Sequence, residues 1–324
     1  MRGLRSTAFA ACVLVSSTLR AKPIAIETLC PSWSTAVKVG ELDSKVIDES
    51  SGLSISRAQD SFYHMNDSGT GPEFHISRAD GSNLISVHIE DYLPIDPEET
   101  ALGPCPLTPE KTCLVIEDIG DNLKLRKSVA FFFIEEKNPW PKSVKPQFVA
   151  RFKYPDGAHN AEAATVLDNG DIVLFTKELS IIGGHATPAV VFRSRRVQYL
   201  KPSSAKEPIE FEKIGLLDLP KLTNQEGLGG VATGIASIPS GHRFAILTYS
   251  GAVEFSLDLK ALKFPQVITK EMWRQVPLFQ LPQQESIAYD RGDRDLVYST
   301  EVKLSQRFFG KAQPTPIYKV KCAL

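Results

Sequence analysis

Hydrophobic residues along the chain fall in short runs closed by Gly, Pro, Asn or Asp, the pattern of β-strands separated by turns. Phe62–His64, Phe74–Ser77, Leu84–Ile89, Leu114–Glu117, Ala130–Ile134 and Phe148–Phe152 read this way in the first half. Ile172–Thr176, Val190–Arg193, Phe244–Thr248, Val253–Leu257, Leu296–Thr300 and Pro316–Val320 continue the series. Helical periodicity is nearly absent; the stretch from Lys260 to Trp273 has room for one short helix. Many short strands with frequent turns predict an all-β architecture.

Five segments align as repeats. They begin at Ser51, Glu98, Glu162, Thr233 and Glu285, each with a carboxylate or hydroxyl followed by small residues. A turn, a strand and a polar cluster follow each one, and two further strands usually precede the next start. Four strands per repeat, five times over, predict a single five-bladed β-propeller. A six-bladed ring with one unrecognised repeat, or a β-sandwich, stays open. Small residues suit the repeat starts, because innermost strands crowd round the axis. The last blade lacks a fourth strand after Tyr318, and the N-terminal segment Thr35–Leu42 can supply it and close the ring.

Cysteines bear on that closure. The N-terminus has the plan of a secretory signal: Arg2 and Arg5, an apolar stretch from Ala8 to Val15, then small residues to Ala21. Residues 1–21 are therefore expected to be a signal peptide and 22–324 the propeller domain. Export leaves Cys30, Cys105, Cys113 and Cys322, an even number that favours disulfides over metal ligands or nucleophiles. The expected pairs are Cys105–Cys113, across a short loop, and Cys30–Cys322, across the ring closure. No later apolar stretch is long enough to span a bilayer. With 37 basic against 38 acidic side chains, the chain lacks the basic excess of a nucleic-acid binder.

The phase of the repeats carries the candidate chemistry. If each opens an innermost strand, Ser51, Glu98, Glu162, Thr233 and Glu285 share one level around the axis. Three carboxylates facing one tunnel repel one another unless a cation lies among them. Carboxylate and hydroxyl oxygens in a flexible ring suit Ca²⁺ better than Mg²⁺. Without an ion, the same residues make a water-filled acidic tunnel. The polar clusters after the second strands are expected to ring the mouth. Their candidate ligand-binding residues are Asn66, Asp67, Asp118, Asp121, Asn122, Arg126, Lys177, Tyr249 and Glu301.

Asn66-Asp67-Ser68-Gly69, Asp96-Pro97-Glu98-Glu99, Asp118-Ile119-Gly120-Asp121-Asn122 with Arg126, and Tyr154-Pro155-Asp156-Gly157 resemble a family of exported bacterial propeller proteins of unassigned activity. That family usually has Asp-Trp-Glu-Asp where this chain has Asp96-Pro97-Glu98-Glu99, which implies an altered strand start here. A more distant resemblance is to the soluble calcium-activated nucleotidases, or apyrases. It implies a five-bladed propeller whose axial calcium is held at Ser51, Glu98, Glu162, Thr233 and Glu285, with Thr233 in place of Ser. Asn66-Asp67-Ser68-Gly69 departs from the Asp-Asp-x-Thr-Gly stretch of that family, so the resemblance speaks for calcium more than for nucleotide hydrolysis.

No His-Glu-x-x-His zinc motif, nucleophile elbow or phosphate-binding P-loop occurs. Two functions follow from these residues. One is an exported calcium-binding propeller whose mouth captures a small phosphorylated ligand or an extracytoplasmic partner without catalysis. The other is a calcium-dependent hydrolase of phosphate esters or anhydrides. There, Asp67 or Asp121 would activate water, and Lys177 and Arg126 would hold phosphate.

Overall fold

A computed structural model of the chain describes residues 27–180, 183–201, 207–225, 227–303 and 313–323. The expected signal peptide lies outside the described residues. Five antiparallel four-stranded meanders surround one axis, as the repeats predict. Their innermost strands are Ser50–Ile55, Pro97–Pro104, Ala161–Val166, Ala232–Ser237 and Gln284–Tyr289, and each contacts the next around the ring. Gly52 shows how closely they approach: a Cβ there would lie 2.7 Å from the backbone nitrogen of Thr100 in the next blade. The small residues of the repeat starts meet this crowding.

The core is divided among the blade interfaces, one apolar cluster to each. Between blades two and three it holds several aromatic rings; Phe131 and Phe152 meet edge-on at 5.4 Å, and Phe152 stacks on Phe211 at 4.6 Å. Strand alternation sends successive side chains to opposite interfaces, so Leu114 and Ile116 face blade one while Val115 faces blade three.

Ring closure is as expected. Val37–Leu42 pairs antiparallel with Thr315–Val320 and becomes the outermost strand of the fifth blade. Cys30 and Cys322 form a disulfide with a Cα–Cα distance of 5.6 Å, beside a two-residue pairing of Ser32–Trp33 with Cys322–Ala323. Cys105–Cys113 is the second disulfide. The stretch expected to hold a helix holds only a single 3₁₀ turn at Lys270–Met272, followed by the strand Trp273–Val276. Pro97 leaves the start of its strand intact, since the first position needs no N–H for the ladder. Among the described residues no helix is long and apolar enough to cross a membrane.

Candidate metal centre

Each innermost strand carries a β-bulge at its start, and the residue skipped in the register is the same repeat position every time. The shifts fall between Ser50 and Gly52, Pro97 and Glu99, Ala161 and Ala163, Ala232 and Gly234, and Gln284 and Ser286. The bulged residues are thus Ser51, Glu98, Glu162, Thr233 and Glu285. A bulge leaves one residue unpaired and re-aims its side chain. All five are buried. A second tier follows the second strands, where the first residue past each strand is Asp67, Ile119, Lys177, Tyr249 or Glu301.

The two tiers divide into two halves. On one side the Lys177 ammonium ion-pairs with Glu162, lies 4.0 Å from Glu285, and donates to the Tyr249 hydroxyl at 2.7 Å. Tyr249 donates in turn to Glu285 at 2.6 Å. Burial works against the Lys177 charge, but Glu162, Tyr249 and Glu285 hold its proton well above the usual lysine range. Burial raises the Glu162 carboxyl to about 8 against the pull of Lys177, with Glu285 adding to the rise. Glu301 accepts from Gln283 at 2.9 Å, and burial, then Glu285, lifts it to about 11. Lys177 is therefore an internal counter-ion of the ring.

On the other side, Asp67, Asp96 and Glu98 each bring one carboxylate oxygen within 4.8 Å of the others. Ser51 donates its hydroxyl to Glu98 at 3.0 Å. Burial, then the charges of Glu162, Asp67, Glu285 and Asp96, pushes the Glu98 carboxyl well up. Burial, then Asp67, raises Asp96 to about 6. Gly120 makes the space, because a Cβ there would collide with the carboxylate oxygens of Glu98 and Asp96. Its N–H donates to the Asp96 carbonyl at 2.9 Å, which holds the two segments together at this point.

A divalent cation suits this set. The donors are hard oxygens from three carboxylates with a hydroxyl beside them. The charges of Glu162, Asp67, Glu285 and Asp96 all act on Glu98, while the Lys177 ammonium is paired with Glu162 on the other side. Among the described residues, the buried oxygens Glu162 Oε2 and Glu301 Oε1 have no hydrogen-bond partner. Asp67, Asp96 and Glu98, with Ser51 adjacent, are the residues that would hold the ion.

Several expected site residues have other work. Thr233 donates to the Gln284 carbonyl at 2.8 Å. Asn66 donates to the Val46 carbonyl at 2.7 Å. Asp118 accepts from Ile95 N–H at 2.9 Å and pairs with Arg126 at 2.7 Å. Arg126 also donates to the Gly120 carbonyl at 2.7 Å. Asp121 accepts from the N–H groups of Leu125 and Arg126, at 2.9 and 2.8 Å. Asn122 is exposed and accepts from Asn160 at 3.1 Å. Asp118, Asp121 and Arg126 thus build the corner that presents Gly120, and the Arg126 charge acts on Asp96 from there. Ile119 holds the axial phase in that blade, and a one-residue offset turns a side chain to the other face. Asp96 was absent from the expected set although it opens the Asp96-Pro97-Glu98-Glu99 string.

Glu99 closes the tunnel below. It accepts from Thr100 N–H at 2.9 Å, Leu53 N–H at 3.3 Å and, across the axis, Ile235 N–H at 3.1 Å. The far ends of the inner strands line a small cavity of ≈ 50 Å³ on the other side of it.

No protein family matches the sequence, and a search of curated proteins finds no match either. The fold has solved relatives. The major allergen Mala s 1 of Malassezia sympodialis superposes with a TM-score of 0.50 at 10% identity, over 90% of this chain and 98% of that one. The soluble aldose sugar dehydrogenase of Escherichia coli gives 0.48 at 10% identity, over 89% and 99%. A gluconolactonase from Xanthomonas campestris gives 0.44 at 9% identity, over 89% of each. At such identities the likeness concerns the fold alone.

Proposed function

We propose that the protein is an exported calcium-binding β-propeller whose mouth captures a small anionic ligand, such as a phosphorylated compound, through the bound cation. The observation that carries this reading is the convergence of Asp67, Asp96 and Glu98 within 4.8 Å around the space left by Gly120. Two disulfides support export, since such bonds persist in oxidising compartments. Among the described residues, the two basic side chains nearest the ring, Lys177 and Arg126, are both engaged, the first neutralised by Glu162 and the second paired with Asp118. A cation on the three carboxylates is then the group that attracts phosphate, so capture depends on it.

One feature favours the hydrolytic alternative as a second reading: Glu162 Oε2 has no hydrogen-bond partner among the described residues and, with its carboxyl raised to about 8, takes a proton from water only once it is ionised. Calorimetry with ATP, ADP and inorganic phosphate, in calcium and in chelator, separates the possibilities when run beside a phosphate-release assay. The binding reading expects calcium-dependent heat without release. Calcium-dependent release establishes the hydrolase, and equal binding in chelator contradicts both.

A further inference from the structure

The outer edges of the first two blades are covered in the same way. The connection preceding the fourth strand of the next blade comes back and adds a short parallel strand. Ser143–Val144 covers Ile85–Ile89, and Ile209–Glu210 covers Phe148–Lys153. The backbone bonds include His88 N–H to the Lys142 carbonyl at 3.0 Å and Glu90 N–H to the Val144 carbonyl at 2.8 Å. An exposed sheet edge otherwise offers a row of unpaired backbone groups to other chains.

The third blade departs from this. Its outer strand, Glu212–Leu217, is approached by the connection 257–272 of the fourth blade. Among the described residues one backbone bond joins them, Phe264 N–H to the Ile214 carbonyl at 2.9 Å. Phe264 seats against Gly215, where a Cβ would lie 2.6 Å from its own Cβ. Past that point the connection stands off and leaves a groove of ≈ 1280 Å³ lined by Leu216, Leu222, Val267, Ile268 and Trp273. Leu216 is 52% and Val267 73% exposed.

The rim is basic. Lys221, Lys263 and Lys270 border the groove, and none makes an ion pair among the described residues. Lys270 lies over the Trp273 ring, 3.5 Å from its centroid. Asp218, the acid on this rim, accepts from Lys221 N–H at 3.2 Å as the cap of the short helix Leu219–Thr223.

We propose that this groove takes an extended segment of a partner protein with alternating apolar and acidic side chains, which continues the blade edge past Phe264, at Leu216–Leu217, as a short parallel strand. The two covered blades set the direction of pairing. Apolar side chains enter the groove, and the alternate acidic ones meet the lysines.

Fluorescence anisotropy with a labelled Val-Glu-Val-Glu-Val-Glu peptide tests the proposal. The peptide should bind the full chain, weaken with salt, and bind at least tenfold more weakly to Leu216→Asp and to the double variant Lys221→Glu, Lys263→Glu. These substitutions are at exposed positions and should leave the calcium response of the protein unchanged. A backbone N-methylated peptide of the same sequence should lose binding, because strand addition needs its N–H groups. The proposal is overturned if the parent does not bind. It is equally overturned if Val-Lys-Val-Lys-Val-Lys binds as well, if Leu216→Asp binds as tightly as the parent, or if the N-methylated peptide binds undiminished. Anionic vesicles binding with the same variant pattern in place of the peptide would make the groove a membrane surface and likewise overturn it.

Discussion

Lys177→Met removes the buried cation from between Glu162 and Glu285 while leaving a side chain of similar length. Its effect follows from the proton balance. Removing one partner of a buried ion pair typically costs about 3–5 kcal/mol, because the other charge is left uncompensated. Part of that cost is avoidable here, since Glu162 is already lifted to about 8 and takes up a proton readily. The sign follows from linkage. A carboxyl whose folded pKa lies above its unfolded value contributes stability at low pH and loses it as pH rises through the folded pKa. In the parent this loss is complete a little above pH 8. In the variant the folded pKa moves higher still, so its stability continues to fall. The gap between the two should widen above pH 8 by about 1.4 kcal/mol per pH unit. Urea unfolding in chelator at pH 6, 8 and 9 measures it, with Glu162→Gln in the Lys177→Met background as the compensating variant. That second substitution should recover most of the loss at pH 9. A penalty below about 1 kcal/mol that does not change with pH would refute the assignment of Lys177 as the internal counter-ion.

Two further outcomes are expected. Burial holds His64 down to about 3 and His75 to about 4, so both stay neutral in the fold. Their unfolded forms take up protons below about 6.5. Folding stability should therefore fall from about pH 6.5 toward pH 4, by up to about 1.4 kcal/mol per pH unit for each histidine, and His64→Gln should shallow that slope in urea titrations. The Cys30–Cys322 disulfide closes a separation of 292 residues and Cys105–Cys113 one of 8. On the chain-entropy account, losing the first should cost about 5–6 kcal/mol and the second about 2–3, so paired Cys→Ser variants should differ about twofold in denaturant experiments.

Much of the blade plan was legible because period-two strands and turn residues repeat around the ring. The common level of Ser51, Glu98, Glu162, Thr233 and Glu285 was legible too, although the bulge that places them was not. What lay beyond the sequence was reach and phase. Lys177 was read as a mouth residue, since its long side chain can as well point outward as lie between Glu162 and Glu285. Asp118 and Asp121 flank the axial phase held by Ile119, and strand ends can be placed from sequence only to within about two to four residues. Asp96 precedes its strand, where an Asp before Pro reads first as a turn former. The outer strands Glu212–Leu217 and Trp273–Val276 mix exposed and buried positions and carry no clean alternation.

The central claim is that a cation sits on Asp67, Asp96 and Glu98, apart from the Lys177 side of the ring. Thermal unfolding of chelator-treated protein during a calcium titration tests it most directly. The melting temperature should rise and saturate, with about 2.7 kcal/mol of stabilisation at 100 times the dissociation constant. Asp67→Asn, Asp96→Asn and Glu98→Gln should each weaken that response strongly, while Glu162→Gln and Glu285→Gln should retain most of it. A melting temperature indifferent to calcium would contradict the account, as would a response abolished by Glu162→Gln and untouched by Asp96→Asn.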